Sequence, residues 1–337
     1  MNFTEFANKS GEKISVCFRE FQPSDVQAII DLIREEYICY LKPQYLNPET
    51  LIDLHRRSEV VFYVVQTQEG KIVACLNDQK NSQNKFSDMG TGIIAKDYRQ
   101  FRLFEPLIKF VMDEIYKKNQ ASAICAHLVM YHQITEKLID RLGLKPCAFE
   151  LQVMAVDKWQ PAYQNRKTAK HSLVFTTKKV TQNDVGKVYL PQEHLDFAEN
   201  IYNSLDVDFK IVSEKNPLQG KTEIEVGDVL DHKYTAILVK NAGVDLAEKI
   251  LEVEKSRQDP LQNFNLFVNT SQPQAVTAYE VLRELGYFFT GVEPLGGNRE
   301  LMVMNNPKKL KIYFEEMQAT AHYLPLRNYV QKCYESR

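Results

Sequence analysis

Eight residues, Asp97-Tyr98-Arg99-Gln100-Phe101-Arg102-Leu103-Phe104, separate an apolar run ending at Ile94-Ala95 from an amphipathic stretch carrying Leu107, Phe110, Val111, Ile115 and Tyr116. A strand that feeds a short loop and then a helix presents free amide N–H groups beside the positive end of a helix dipole. That arrangement suits a pyrophosphate. Arg99 and Arg102 add planar, two-pronged cations that match phosphate oxygens. The same residues also read as an ordinary loop with two solvated arginines and a buried Phe104. Gly90 and Gly92 lie in the strand just before. Glycine there marks a close approach of backbone or ligand, or simply an irregular sheet edge. Tyr131 and His132 stand at the next strand-to-helix junction, and Asp88 begins the central strand. Histidine titrates near neutral pH. The plainer alternatives are a packing tyrosine, a solvated histidine and a solvated carboxylate. His127, alternating within an apolar strand, reads as a core histidine.

Regular elements must hold these residues. ISVCFR (14–19) predicts a first strand. Pro23-Ser24-Asp25 opens a helix with Val26, Ile29, Ile30 and Ile33 on one face, running to about Leu41. Asn47-Pro48-Glu49 starts a shorter helix through Arg57. Residues 60–67 and 71–77 form a hairpin around Gly70. The polar stretch 78–85 reads as an exposed loop. A strand over 87–95 leads to the loop and a long helix. A buried strand over 122–131 and a helix from His132 to Leu142, capped by Gly143, follow. Strands at 147–156 and 172–180 flank a polar stretch, 157–171. TQNDVGK (181–187) is the expected boundary. The second half then repeats the order, with helices at 191–204, 244–257 and 273–285. Its strands fall at 208–215, 222–227, 233–240, 263–270, 287–293 and 299–304. Helical pieces near 307–319 and 325–335 finish the chain. DRLGLKPCAFELQVM (140–154) echoes RELGYFFTGVEPLGG (283–297): a helix end, a Leu-Gly corner, then a strand.

The order β-α-α-β-β-β-α-β-α-β-β over 14–180 resembles the GNAT superfamily of N-acetyltransferases. ISVCFREFQPSDVQAIIDLI, IIAKDYRQFRLFEPLI and HQITEKLIDRLGL carry the likeness. It covers the first half clearly and the second more loosely. The resemblance implies an α/β (α+β) chain of two GNAT-like domains, 1–182 and 183–337. Each would be a mixed, mostly antiparallel central sheet flanked by helices. It implies acetyl-CoA as cofactor, with the backbone of Ile93 and Ile94 on the pantetheine arm. Tyr98, Arg99, Gln100, Phe101, Arg102, Leu103 and Phe104 would form the pyrophosphate loop. Family members read Arg/Gln-x-x-Gly-x-Gly/Ala there. Arg99 matches, while Arg102 and Phe104 replace the glycines.

Amine acetylation needs a base for the attacking ammonium and an acid for the departing thiolate. The family's tyrosine acid, four residues before the helix-ending glycine, is Ile139 here and Leu282 in the second half; Tyr279 lies one turn earlier. Tyr131 and His132 are the nearest substitutes, and Asp88 is the candidate base. Asn241-Ala242-Gly243-Val244 gives the second half no arginine-bearing loop, and Gly296-Gly297-Asn298 reads as a turn. This half is expected to be degenerate. The resemblance implies an acyltransferase acting on a small-molecule or protein amine, which would approach from the side of residues 78–88 and 48–57. The alternative is a non-catalytic module that senses a ligand or binds a protein.

Composition agrees with a folded, two-domain protein. The chain has 337 residues, 44% hydrophobic and 26% charged, at about 150 residues per domain. This excludes disordered, collagen-like and disulfide-scaffold classes. A net charge of -2 argues against a nucleic-acid protein with a basic surface. Six cysteines without C-x-x-C spacing fit a reducing, cytoplasmic setting. No stretch reaches the ~20 apolar residues of a membrane span. Phosphate-loop, dinucleotide, serine-hydrolase and zinc-protease motifs are missing, and the seven histidines do not cluster as metal ligands. No metal is expected. A monomer, as a pseudo-dimer of its halves, or a homodimer fits equally.

Overall fold

Apolar residues at Ile29, Ile30, Leu32 and Ile33 put one stripe on the first helix, and all four are buried. Ile29, Leu32 and Ile33 share one core with Val60, Phe62 and Val64 of the apolar strand Val60–Thr67. This is the core on which one part of the chain is built. The computed structural model describes residues 2–81, 86–118, 121–181, 186–295 and 300–337. Residues 82–85 of the polar stretch, the 182/183 boundary and Gly296-Gly297-Asn298 lie outside the described residues. The chain divides into two compact units, 1–126 with 159–161, and 127–158 with 162–337.

The first unit contains β1 (Thr4–Ala7), β2 (Lys13–Glu20), α1 (Val26–Glu36), α2 (Pro48–Arg56), β3 (Val60–Thr67), β4 (Ile72–Asn81), β5 (Phe86–Ile94), α3 (Phe104–Lys118) and the start of β6 (Ala123–Val129). Its strands lie in numerical order. All neighbours are antiparallel except β5 and β6. Phe21, Leu51, Phe62, Val64 and Ile93 join the α1 stripe in one core cluster. Three expectations are corrected here. β1 adds a strand that the sequence did not signal. β4 continues through Asn81, so Asp78 is a buried strand residue and not part of an exposed loop. α1 ends at Glu36 instead of about Leu41, because Tyr37 turns extended and the Ile38 N–H donates to the Trp159 carbonyl (3.1 Å).

The second unit holds the end of β6, then α4 (Ile134–Arg141), β7 (Lys145–Ala155), β8 (Lys170–Lys179), β9 (Lys187–Tyr189), α5 (Leu195–Ser204), β10 (Lys210–Val212), β11 (Glu223–Val229), β12 (Tyr234–Asn241), α6 (Leu246–Lys255), β13 (Asn263–Asn269), α7 (Ala275–Glu284), β14 (Phe288–Pro294), β15 (Glu300–Asn306) and α8 (Leu324–Glu335). Its sheet runs β8-β7-β14-β15-β13-β12-β11, while β9 and β10 form a separate parallel pair. β12 and β13 are parallel; the pairs β7–β8, β14–β15, β13–β15 and β11–β12 are antiparallel. Gly143 and Gly286 both take left-handed conformations (φ +86° and +89°) after their helices, as the echoed Leu-Gly corners require. The helix expected over 307–319 is absent apart from a short turn at Phe314–Glu316. Lys308 is left-handed there (φ +52°), and the Gln152 side chain donates to the Lys311 carbonyl (2.9 Å). Buried Ile312 and Phe314 hold this irregular segment in place.

Candidate functional site

The residues expected to form a pyrophosphate loop, 98–104, lie in the first unit, at the end of a strand with an interrupted ladder. β5 pairs with β6 only from Phe86↔Ala123 to Met89↔Ala126. Beyond this the β4 register slips between Cys75 and Asn77, making a bulge in β5. Thr91 sits within it at φ +51°. Such bulges redirect a strand and locally end its pairing. The Thr91 hydroxyl accepts from Tyr40 (2.8 Å) and from the Asn77 amide (3.0 Å), which fixes the bulge from both sides. Ile93 pairs with Cys75 and is buried; Ile94 pairs with Ala74.

The chain then makes a tight helical stretch, Lys96–Phe101, closed by left-handed Arg102 (φ +55°) before α3 begins. Phe101 and Leu103 point into the core. The Lys71 ammonium lies 5.2 Å from the Tyr98 ring centre. Gln100 donates to the Asp97 carbonyl at 3.4 Å. The two arginines differ. Arg99 pairs with Glu36 and donates from Nε to the Ile94 carbonyl (3.1 Å), so its charge is already matched. Arg102 is exposed and has no carboxylate within 4 Å among the described residues. Phe104 explains Gly92: a Cβ at Gly92 would lie 2.6 Å from Phe104 Cζ and 2.7 Å from Cε2. The glycine in the strand accommodates the aromatic ring of Phe104.

Asp88 is in the same unit, half-buried on β5 opposite Gln79. Gln79 accepts from Lys42 (2.6 Å) and from the Tyr45 hydroxyl (3.2 Å). Burial makes Tyr45 and Tyr40 weaker acids, and the Asp88 charge adds to this in both. One carboxyl escaped the sequence reading. Asp78, fully buried one place along β4, is pushed up to about 6 by burial, with the Ser87 hydroxyl opposing. Its only sequence signal was its place at the end of an apolar run that in fact continues as strand.

Tyr131 and His132 lie in the second unit, apart in sequence and unit from Asp88. Tyr131 is buried, its ring centre 4.2 Å from Tyr163, 4.6 Å from His171 and 4.9 Å from His132. Arg166 donates to its carbonyl (3.3 Å). Burial lowers the His132 pKa, which keeps the ring neutral at pH 7, and takes His171 down to about 4. His127 is partly exposed and pairs with Glu150 (2.8 Å). The ligand atoms of His127, Glu150 and Glu293 lie within 4.8 Å of one another, the one convergence among the described residues with metal-ligand chemistry. The Tyr234 hydroxyl donates to Glu150 (2.9 Å).

The second half's counterpart of the loop is closed. β12 and β13 pair without interruption from Tyr234↔Asn263 to Val239↔Val268. A Cβ on Gly243 would meet Thr222 N at 2.5 Å and Gly220 O at 2.6 Å. Residues 220–222 therefore fill the space before α6.

No family model and no curated protein matches the chain. Solved structures do. A ribosomal-protein-S5-alanine acetyltransferase from Vibrio fischeri is 14% identical with a TM-score of 0.40, over 53% of this chain and 97% of that one. A spermidine N-acetyltransferase from Vibrio cholerae is 12% identical with a TM-score of 0.40, over 48% and 92%. The ribosomal-protein-S18-alanine N-acetyltransferase from Escherichia coli is 11% identical with a TM-score of 0.40, over 50% and 96%. Each match spans nearly all of the other protein and about half of this one. The mixed, mostly antiparallel sheet flanked by helices is the observed fold class. Among the described residues no helix is long and apolar enough to cross a membrane.

Proposed function

We propose that the chain is an N-acyltransferase that takes an acetyl group from acetyl-CoA and passes it directly to an amine on a small molecule or protein. The observation that carries this reading is the β5 ladder, which leaves β6 at Met89 and bulges at Thr91. Backbone groups of Ile93 and Ile94 would then take the pantetheine arm, and the loop ending at Arg102 the phosphates. The amine lone pair attacks the thioester carbonyl, its proton passing to Asp88 directly or through water. The C–S bond breaks as the amide forms, and the thiolate leaves to be protonated. Positioning and backbone N–H groups at the developing oxyanion supply most of the rate. The division into domains 1–182 and 183–337, the second without a cofactor slot, belongs to the same proposal. So does a cytoplasmic setting, supported by six cysteines that form no disulfide among the described residues.

Calorimetric titration with acetyl-CoA tests it. One molecule is expected to bind per chain. Arg102→Ala should weaken binding about 10-fold, the value of one charge-assisted hydrogen bond. Arg99→Ala should matter less, because Glu36 already holds that guanidinium. Phe104→Gly should tighten binding by opening the surface of Gly92. Absence of binding by both the wild type and Phe104→Gly at millimolar ligand sinks the reading. A second reading, a non-catalytic ligand sensor, is favoured by the engagement of Arg99 with Glu36. It predicts binding without release of free coenzyme A thiol across a panel of primary amines and peptides.

A further inference from the structure

The second unit contains a cavity of about 650 Å³ lined by α7, the Gly286 corner and α8, which acyl transfer does not use. Its size falls within the usual range for small-ligand sites, about 300–1,000 Å³. His194 forms part of the wall. The ring is buried and stacked on Phe289, with centres 4.0 Å apart and planes at 15°. Nε2 is hydrogen-bonded to the Tyr279 hydroxyl (2.7 Å) and Nδ1 to that of Tyr329 (2.9 Å). Tyr329 is itself stacked on Phe197 at 3.8 Å. Both imidazole nitrogens and both hydroxyls are therefore fixed, and burial takes His194 down to about 4. The wall is rigid, aromatic and uncharged at pH 7.

The rim carries the charge. Arg283, Lys308, Lys332 and Arg337 line the cavity against a single carboxylate, Glu193. Arg283 pairs with Glu193 (3.2 Å) and Lys308 with Glu254 (2.6 Å). Lys332 has no carboxylate within 4 Å among the described residues. Cation in excess over an aromatic wall selects an anion whose body is flat and apolar, because each feature alone is satisfied by water or by any hydrophobe.

We propose that this cavity binds a planar aromatic anion, its ring against the partly exposed Tyr329 and its charged group at Arg283 and Lys332. The test uses 2-naphthoate, its neutral twin 2-naphthamide, and inorganic phosphate, each titrated calorimetrically into the full chain. Naphthoate should bind saturably at one site, the amide at least about 10-fold more weakly, consistent with loss of a charge-assisted contact, and phosphate not measurably. Lys332→Glu, at an exposed position, should weaken naphthoate about 10-fold or more and leave the amide unchanged. Phe104→Gly should leave naphthoate binding unchanged, so failure of the acyl-CoA reading would not affect this one. Equal binding of naphthoate and amide, no binding of naphthoate, or insensitivity to Lys332→Glu overturns the proposal.

Discussion

Gly291→Ala is expected to destabilise the second unit by about 4 kcal/mol, at the upper end of single-substitution effects. Gly291 stands opposite Ala148 at the one point where β14 pairs with β7. An added Cβ would overlap the Ala148 Cα and the Cys147 carbonyl oxygen and come within 2.7 Å of the Ala148 Cβ. These are mostly backbone atoms in mid-strand, which cannot swing aside. The residue also has φ +136°, a conformation open to glycine and costly for alanine. Overpacking and backbone strain act together, each worth about 1–3 kcal/mol. Urea denaturation followed by far-ultraviolet circular dichroism should show the midpoint falling markedly. Gly90→Ala is the control. Its Cβ would lie 3.2 Å from the Asn77 side-chain oxygen and its φ is not positive, so the gain of about 0.4–1 kcal/mol from a less flexible unfolded chain offsets the tight contact, and the midpoint should move little. An unchanged midpoint for Gly291→Ala would show that β7 and β14 do not meet there.

This junction also shows what the sequence could reveal. Ala148 and Gly291 each fall five residues after a helix-capping glycine, so the echo between 140–154 and 283–297 identifies equivalent positions. It does not say that those positions touch each other; that depends on tertiary pairing. The end of β6, β8 and β7 recur as β13, β15 and β14, an order legible from alternation, glycine corners and turn residues. The misses arose where distant residues override local pattern. The apolar spacing of α1 runs on past Glu36, but Tyr37 and Tyr40 pack on Trp159 (4.4 and 6.1 Å between ring centres) and the helix stops. Residues 307–319 have helical spacing, but the buried Ile312 and the bond to Gln152 hold them in an irregular path.

The candidate site was legible as chemistry but not as geometry. Arg99 and Arg102 look equivalent in a linear sequence. Only the fold brings Glu36, 63 residues away, onto one of them. Gly92 signalled a close approach, and the approaching group is Phe104, a residue of the same loop. Asp78 was missed because hydrophobicity falls at Asn77-Asp78 while strand pairing with β5 continues through Asn81.

Glu136→Gln is expected to stabilise the protein by about 2–3 kcal/mol at pH 8 and by almost nothing at pH 4.5. Glu136 is fully buried on α4. One carboxylate oxygen accepts the Thr320 N–H (2.8 Å), and the other has no hydrogen-bond partner among the described residues. Burial raises the carboxyl from 4.5 to about 7, while Thr320, Lys137 and Arg327 pull the other way. The sign follows from which state holds the proton. The folded carboxyl keeps its proton to a higher pH than the unfolded one. Its stability contribution is therefore fully present below about 4.5 and is lost as pH rises through about 7. Glutamine keeps an acceptor for Thr320 and never ionises, so it removes the loss that sets in between pH 4.5 and about 7 and nothing else. Tyr323 and Asp140 both face this region: burial makes Tyr323 a weaker acid and the Glu136 and Asp140 charges add to this, and Asp140 pairs with His322. Thermal unfolding of wild type and variant at pH 4.5, 6 and 8 should give curves that nearly coincide at pH 4.5, are already apart at pH 6 and are furthest apart at pH 8. A constant difference across the range, or a variant less stable at pH 8, would mean that Glu136 is held as a paired carboxylate, with the Arg327 charge outweighing burial.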